Sequence, residues 1–542
     1  MNAGKALLTF SIGPVHAFIA QARRVADLWT GSDLLSHLMS KAIDEAQARG
    51  GEAIFPSVPR GETTPRGLPN RVVCRVPAAD AEAVARAMEA KVRGRWDDIV
   101  RRAAAALKEK GIVPTATIWS EDAGRPRQTD PVFDVSWSWV PEEGGYAAAA
   151  HEAARRFNGA RLFRPFRQIE EVGEKCAICG ERTALPDGDR NRVREAWKAA
   201  EETSSNEVDQ RFYRLDQTRL CLVCASKRLY SLSRDQDKGP YFSGFNEFQP
   251  DKETAYYALV AMDGDRMGDI LTWPAERLKD GAMEAFQRAI SRALSDFSES
   301  LRREQPWVLD LDGLGIAAPA GKWPQLVYAG GEDVMLVCDP RDALPIARAI
   351  RRRYRETLEA VRPLLADDAD FERSFTISAG ILFAHSKHPA GLVFRDVKEL
   401  LERKAKAEAG RDAVALSLVK RGGVPVEVSF KWSDDAGGGS AWVDRFEALV
   451  RSLGEQELSS RQSYNLRQEE EVLLPVLGDD ETRWRGWLTD RLARSEISLE
   501  HAERLAELLT PFFIAGRSQA LRVARFLGRE VPGIPAHSQE GA

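Results

Sequence analysis

Short apolar runs alternate along most of this chain with longer stretches of helical period. Residues 6–12 (ALLTFSI) read as a strand, and 256–262 (YYALVAM) is a continuous apolar run, the pattern of a strand buried on both faces. Strands are also predicted at 72–76, 115–120, 132–140, 325–328, 334–338 and 374–383. Helices are predicted at 15–26, 79–110, 145–157, 192–202, 280–303, 343–365 and 394–409. From 442 to 526 the pattern is helical almost throughout, which predicts a C-terminal bundle. Between 251 and 428 the order is strand, helix, hairpin, helix, strand, helix, strand, which matches a ferredoxin-like βαββαβ core with an extra element. The fold class is therefore α+β. Loops or linkers are expected at 50–70, 235–250 and 434–440, where Gly, Pro and polar residues cluster, and a mobile tail over about the last fifteen residues.

The hairpin at 325–338 carries Gly330-Gly331-Glu332-Asp333 at its turn. Gly-Gly supplies the permissive backbone of a short loop, and two adjacent carboxylates leave it. Taken alone, such a turn is most often a solvated hairpin. Asp263 changes the picture, because it ends the buried run 256–262, where a carboxylate is costly unless it pairs or binds a cation. If that strand lies beside the hairpin, Asp263, Glu332 and Asp333 converge. Hard oxygen ligands so placed suit Mg²⁺ or Mn²⁺. Two such ions about 4 Å apart would activate a ribose 3′-hydroxyl and hold a triphosphate for attack at its α-phosphorus. Lys404 and Lys406 lie on the helix predicted at 394–409; either could reach triphosphate oxygens or belong to a solvated face.

Four of the six cysteines form two C-x-x-C pairs, Cys176/Cys179 and Cys221/Cys224. That spacing suits a tetrahedral Zn²⁺ site, structural because four thiolates leave no open position. The gap between the pairs implies an inserted helical segment. Redox disulfides are the alternative, disfavoured in a chain without a secretion signal.

The segments AMDGDRMG, YAGGEDVML, TISAGILFAHSKHP and ERKAKAEAGRDAV occur here in the order found in the large polymerase-cyclase subunit of type III CRISPR effectors, specifically the Cmr (III-B) branch. The chain resembles that family from Leu7 to about Val428, and the same palm core occurs in GGDEF-type diguanylate cyclases. The resemblance implies a degenerate first palm at 1–160, a Cys₄ zinc-binding linker domain at 161–250, a catalytic palm at 251–428 and a helical domain at 429–542. SIGPVHAFIAQARRVADLWTGSDLLS looks like the opening of the family's first palm, with Ser11-Ile12-Gly13-Pro14 where the second palm has its carboxylates. In the family a nucleotide binds between the palms. Ser32, Arg23 and Arg24 become candidate contacts on one side, and Gly264, Asp265, Gly330, Gly331 and Lys406 on the other. Helix capping and surface charge remain the alternatives for the first three.

The activity implied by the resemblance is target-RNA-activated conversion of ATP to cyclic oligoadenylates, with crRNA, target RNA and other Cmr-type subunits as partners. A non-catalytic RNA-binding scaffold and a GGDEF-like dinucleotide cyclase are the other readings. The intact acidic set argues against the scaffold, and the cysteine module and helical C-terminus against the cyclase. Two departures stand out. Glu332 occupies a position that is usually Asp. The chain opens directly on the first palm and has no His-Asp dipeptide, so the HD nuclease domain of many relatives is expected to be missing.

A net charge of −5 provides no global basic field, so RNA contacts must use local patches or partner subunits. No apolar run of about 18 residues suggests a membrane span and no signal peptide is evident, so a cytoplasmic location is expected.

Overall fold

A computed structural model describes the chain apart from residues 1–3, 62–66, 114–118, 121–124, 130–131, 163–170, 204–218, 231–254, 274, 280–281, 304, 306, 318, 320–322, 367–370, 421–423, 433–441, 456–457, 495–496 and 532–542. The linkers expected at 235–250 and 434–440, most of the strand at 115–120 and nearly all of the tail lie outside the described residues.

The first sheet contains β1 (Lys5–Gly13), β2 (Glu52–Phe55), β3 (Arg71–Pro77) and β4 (Asp134–Pro141), ordered β2-β3-β1-β4 with all neighbours antiparallel. Its helices are α1 (Val15–Ala20), α2 (Val25–Ala48), α3 (Ala81–Glu109) and α4 (Tyr146–Leu162). The cysteine region adds α5 (Arg190–Glu202) and α6 (Leu222–Tyr230). The second sheet begins with β5 (Tyr256–Gly264), then α7 (Met283–Ser300), the hairpin β6 (Gln325–Gly330) and β7 (Asp333–Cys338), α8 (Ala343–Leu358) and β8 (Ile377–His385). After α9 (Ala390–Leu400) come β9 (Ala413–Val419) and β10 (Val426–Lys431), giving the order β10-β9-β8-β5-β7-β6. Five helices follow: α10 (Trp442–Glu455), α11 (Ser460–Leu477), α12 (Glu481–Ala493), α13 (Leu499–Ile514) and α14 (Gln519–Arg525).

Each sheet arranges one βαββαβ unit with its outer strand beside its first, as β4-β1-β3-β2 and as β8-β5-β7-β6. That is the topology expected for ferredoxin-like palms, here present twice. In the second, β9 pairs parallel to β8 and β10 closes the edge.

The continuous apolar run of β5 is explained by what covers its two faces. Ala258, Val260 and Met262 point into a core shared with α7, α8 and the C-terminal helices. Tyr257, Leu259 and Ala261 point into a second core shared with α9 and the first palm. The palms are fastened by Trp29 against Trp307, edge to face at 5.7 Å between centroids, and by Arg75 bridging Glu142 at 2.8 Å and Glu284 at 2.6 Å.

Two expectations are corrected. The helix predicted over 15–26 is broken: α1 stops at Ala20 and α2 starts at Val25. The break is stabilised from outside the segment, by α6. The loop expected at 50–70 also contains a strand, β2, which pairs with β3; in the cysteine region Val193, Trp197, Cys221 and Cys224 pack into the same core as Leu38, Met88 and Val100. Elsewhere the predicted helices and strands agree within a few residues at their ends, with one refinement. The helix expected at 394–409 continues from α9 as a π-helical turn, Leu401–Glu408.

Candidate active site and zinc centre

Asp263 is the penultimate residue of β5, opposite Ser378 of β8. The hairpin places Gly330 opposite Asp333, so Gly331 and Glu332 form a two-residue loop. Gly331 has φ +61°, the conformation such a loop asks of its first residue. Gly264 explains how Glu332 reaches the end of β5: a Cβ on Gly264 would lie 2.8 Å from Glu332 Cβ and 3.2 Å from its Cγ. The bare glycine therefore lets the glutamate lie across the strand end. Gly330 is equally constrained, since a Cβ there would collide with the Gly67 carbonyl of the first palm. Adjacent strands and a glycine turn thus bring Asp263, Glu332 and Asp333 together.

Their electrostatics show what the arrangement lacks. Burial, and then the negative charge of Asp333, push the Asp263 carboxyl up to about 6. Burial, with Asp333 and Asp263 adding to it, pushes Glu332 up to about 8. Like charges are held at one point, and among the described residues two ammonium groups compensate them. Lys406 forms an ion pair with Asp263 and a second with Glu402 at 2.9 Å, and Lys398 lies 3.3 Å from Asp333. The nearby carboxylates hold both lysines above the ordinary range, against the opposing effect of their own burial. A set of hard oxygen donors with excess negative charge suits divalent cations. Asp263, Glu332 and Asp333 are the residues that would hold them.

The wide π-helical turn aims Lys406 at Asp263, while Lys404 turns outward to Glu408 at 2.6 Å. Of the two lysines read from the helix, only Lys406 joins the site. Lys398 was not anticipated. Its signal is a lysine two turns before Lys406 on the same helix, but recognising it requires the sheet on which that helix lies. His16 of α1 was also missed. It is a first-palm side chain within electrostatic reach of Lys398, Asp333 and Glu402; desolvation first, then Lys398, hold it below its usual value.

Asp265, expected to contact nucleotide, is placed differently. Its carboxylate is 2% exposed and accepts from Thr376 Oγ1 at 2.8 Å, Ser378 Oγ at 2.8 Å and the Asp412 amide at 3.0 Å. Those bonds staple the exit of β5 to β8 and to the left-handed pair Arg411 and Asp412, whose φ values are 65° and 42°. Asp265 is thus tied into the fold two residues beyond Asp263. Ser32 is half-buried in α2, and Arg23 is exposed at the α1–α2 corner. That corner meets the second palm where the Gly391 amide donates to Ala22 O at 3.2 Å. Arg24 is the N-cap residue of α2, the capping role weighed for it above.

Cys176, Cys179, Cys221 and Cys224 converge, with their sulfur atoms all within 4.8 Å of one another. Gly180 follows the first pair with φ +68°, and its amide donates to Cys176 O at 3.0 Å. Backbone amides of Ile178 and Cys224 donate to Cys176 Sγ at 3.4 Å and Cys221 Sγ at 3.3 Å. Four sulfurs drawn together by two amide-lined knuckles fit a tetrahedral Zn²⁺.

Known proteins are similar to two stretches of the chain. Residues 256–415 match the Cas10/Cmr2 second palm domain, and residues 7–101 match the N-terminal region of the CRISPR-associated protein Cmr2. In these two stretches the chain is similar to Cas10/Cmr2 proteins. It is 23% identical over 575 aligned residues to the CRISPR system Cmr subunit Cmr2 of Pyrococcus furiosus, an alignment covering 77% of this chain and 62% of that protein. The chain therefore spans less than two thirds of its relative's length. Two solved structures share the fold at 13% identity. The apo Type III-B Cmr-beta structure matches with a TM-score of 0.53, covering 95% of this chain and 82% of that one. The Cmr-beta structure bound to cognate target RNA gives 0.56, covering 92% and 79%.

Proposed function

We propose that the chain is the large subunit of a type III-B CRISPR effector complex, and that its second palm is a target-RNA-activated nucleotidyltransferase converting ATP to cyclic oligoadenylates. The observation that carries this reading is the convergence of Asp263, Glu332 and Asp333 with Lys398 and Lys406 at one strand end. Divalent ions held there would lower the barrier to attack by a 3′-hydroxyl and neutralise charge on the leaving pyrophosphate. The chain's own residues do the rest. Lys406 and Lys398 are placed to exchange their carboxylate partners for triphosphate oxygens. Gly331 leaves the tip of the turn open for a nucleotide to approach the backbone, while Gly330 and Gly264 let Gly67 and Glu332 pack closely beside it. The first palm, with Ile12 near the end of the strand equivalent to β5, supplies no carboxylate there and serves as a nucleotide-binding wall presenting His16, Ser32 and Arg23. Glu332 sets its carboxylate about 1 Å further out than the usual aspartate, and Gly264 provides the room. Partner subunits, crRNA and target RNA belong to this same proposal, supported by the family and by the RNA-bound structure that shares the fold. Among the described residues no helix is long and apolar enough to cross a membrane.

The test is a purified complex of this chain with its Cmr-type subunits and crRNA, given labelled ATP or GTP with and without target RNA. Mass spectrometry should find cyclic oligoadenylates formed from ATP only when target RNA is present. Turnover of GTP to a dinucleotide by the chain alone would favour the cyclase reading. No product under any condition would leave a scaffold.

A further inference from the structure

Lys227 is 2% exposed, and the proposed chemistry makes no use of it. A buried ammonium is costly unless its donors are bonded, and here they are. Nζ donates to Phe18 O at 2.9 Å, to Ile19 O at 3.2 Å and to Gln21 O at 2.9 Å, carbonyls at the C-terminal end of α1. The next residue, Arg228, makes a two-armed ion pair with Asp27 at 2.7 and 3.0 Å, both side chains 1% exposed. Asp27 also accepts from the amides of Arg23 at 2.9 Å and Arg24 at 3.1 Å. The corner between α1 and α2 is thus gripped from both sides by neighbouring residues of α6. Gly31 makes room for the grip, since a Cβ there would lie 2.7 Å from Lys227 Cε.

The grip has two ends. On one side Lys227 lies one turn beyond Cys224, in the helix that carries this cysteine and directly follows Cys221. On the other, the gripped corner touches the first turn of α9 through Ala22 O and the Gly391 amide, and α9 carries Lys398 to Asp333. A chain of bonds therefore runs from the cysteines to the carboxylate cluster at Asp333. We propose that α6 is a strut coupling metal occupancy of the cysteine site to the geometry of the inter-palm cleft, with Lys227 and Arg228 as positioning residues. The coupling rests on the zinc-binding and nucleotide-cleft readings above, so its test reads structure as well as turnover.

Amide hydrogen exchange on the full chain, with zinc content measured in parallel, separates the possibilities. Lys227→Met keeps the aliphatic stem and removes the three bonds. It should retain about one zinc per chain while exchange in residues 17–27 rises by at least about tenfold. Gly31→Ala, which pushes on the same side chain from the opposite wall, should reproduce that pattern. Removing zinc with a chelator should loosen α6 and residues 17–27 together. In the assembled complex Lys227→Met should raise KM for ATP more than it lowers kcat. Wild-type protection of 17–27 in both variants would overturn the proposal, as would a chelated chain in which α6 loosens and the corner does not. If chelation unfolds the chain, the two substitutions decide. If no complex ever turns over ATP, exchange still decides the coupling while the nucleotidyltransferase reading fails separately.

Discussion

Asp263, Glu332 and Asp333 each sit where the backbone gives them little freedom, so their individual removal should be felt in chemistry more than in folding. Asp263→Ala and Asp333→Ala should each lower nucleotide polymerisation by roughly a thousandfold, with complex assembly retained on size-exclusion chromatography. Glu332→Asp restores the common turn and should keep substantial activity, whereas Glu332→Ala should be severely impaired. Near wild-type turnover in all three alanine variants would make the palm a scaffold. The same carboxylates predict a pH dependence. Asp263 is raised to about 6 and Glu332 to about 8, so the folded metal-free chain holds these protons more tightly than the unfolded chain. Their stabilising contribution is complete below the ordinary carboxylate range and is lost as pH climbs through those values. On the proposed function, a divalent ion held there would replace the protons. The Tm increase caused by Mn²⁺ should therefore be larger at about pH 8 than at about pH 6, and Glu332→Gln should remove most of that difference. Equal increases at both pH values would show that Lys398 and Lys406 already compensate the charge.

At the scale of elements, the π-helical turn Leu401–Glu408 is what separates Lys406 from Lys404. It is seated tightly on β8 at Gly380, where a Cβ would lie 2.9 Å from Val397 O and 3.1 Å from the Leu401 amide. Backbone cannot yield there as a flexible side chain would. Gly380→Ala should cost about 1–3 kcal/mol in thermal denaturation and should lower turnover further than that loss explains, because the turn carrying Lys406 moves. Unchanged turnover in a folded Gly380→Ala variant would mean that the lysine's placement is not critical.

Among the described residues the two palms share a core. The second sheet buries Leu259, Val337 and Met335 against the first palm's side of the structure, and its other face is closed by α10 and α13. Excising residues 251–428, the span that the sequence marks as the catalytic domain, would expose both faces at once. That fragment should be insoluble or bind a hydrophobic dye strongly, while the full chain is monodisperse. A soluble, cooperatively folding fragment would show that the shared cores contribute little.

Much of this was legible in the chain itself. The period of apolar residues marked the strands and helices, because a strand covered on both faces must be apolar at every position, as 256–262 is. Two C-x-x-C pairs announced a four-cysteine cluster of the kind that holds zinc, since short spacing alone brings two thiolates to one knuckle. The glycine turn and the acid at a strand end likewise announced themselves. What the sequence left undetermined was what each surface meets. Asp263 and Asp265 look interchangeable in AMDGDRMG, yet one points to Lys406 and the other is bonded to Thr376, Ser378 and Asp412. His16 and Lys227 carry no local signal and Lys398 only its helical spacing from Lys406, because their roles are set by partners far away in sequence. The break between α1 and α2 has the same origin: a stretch with helical pattern is interrupted because buried cations two hundred residues later satisfy its carbonyls and its aspartate. Local periodicity determines elements; only packing decides which charges are left to do chemistry.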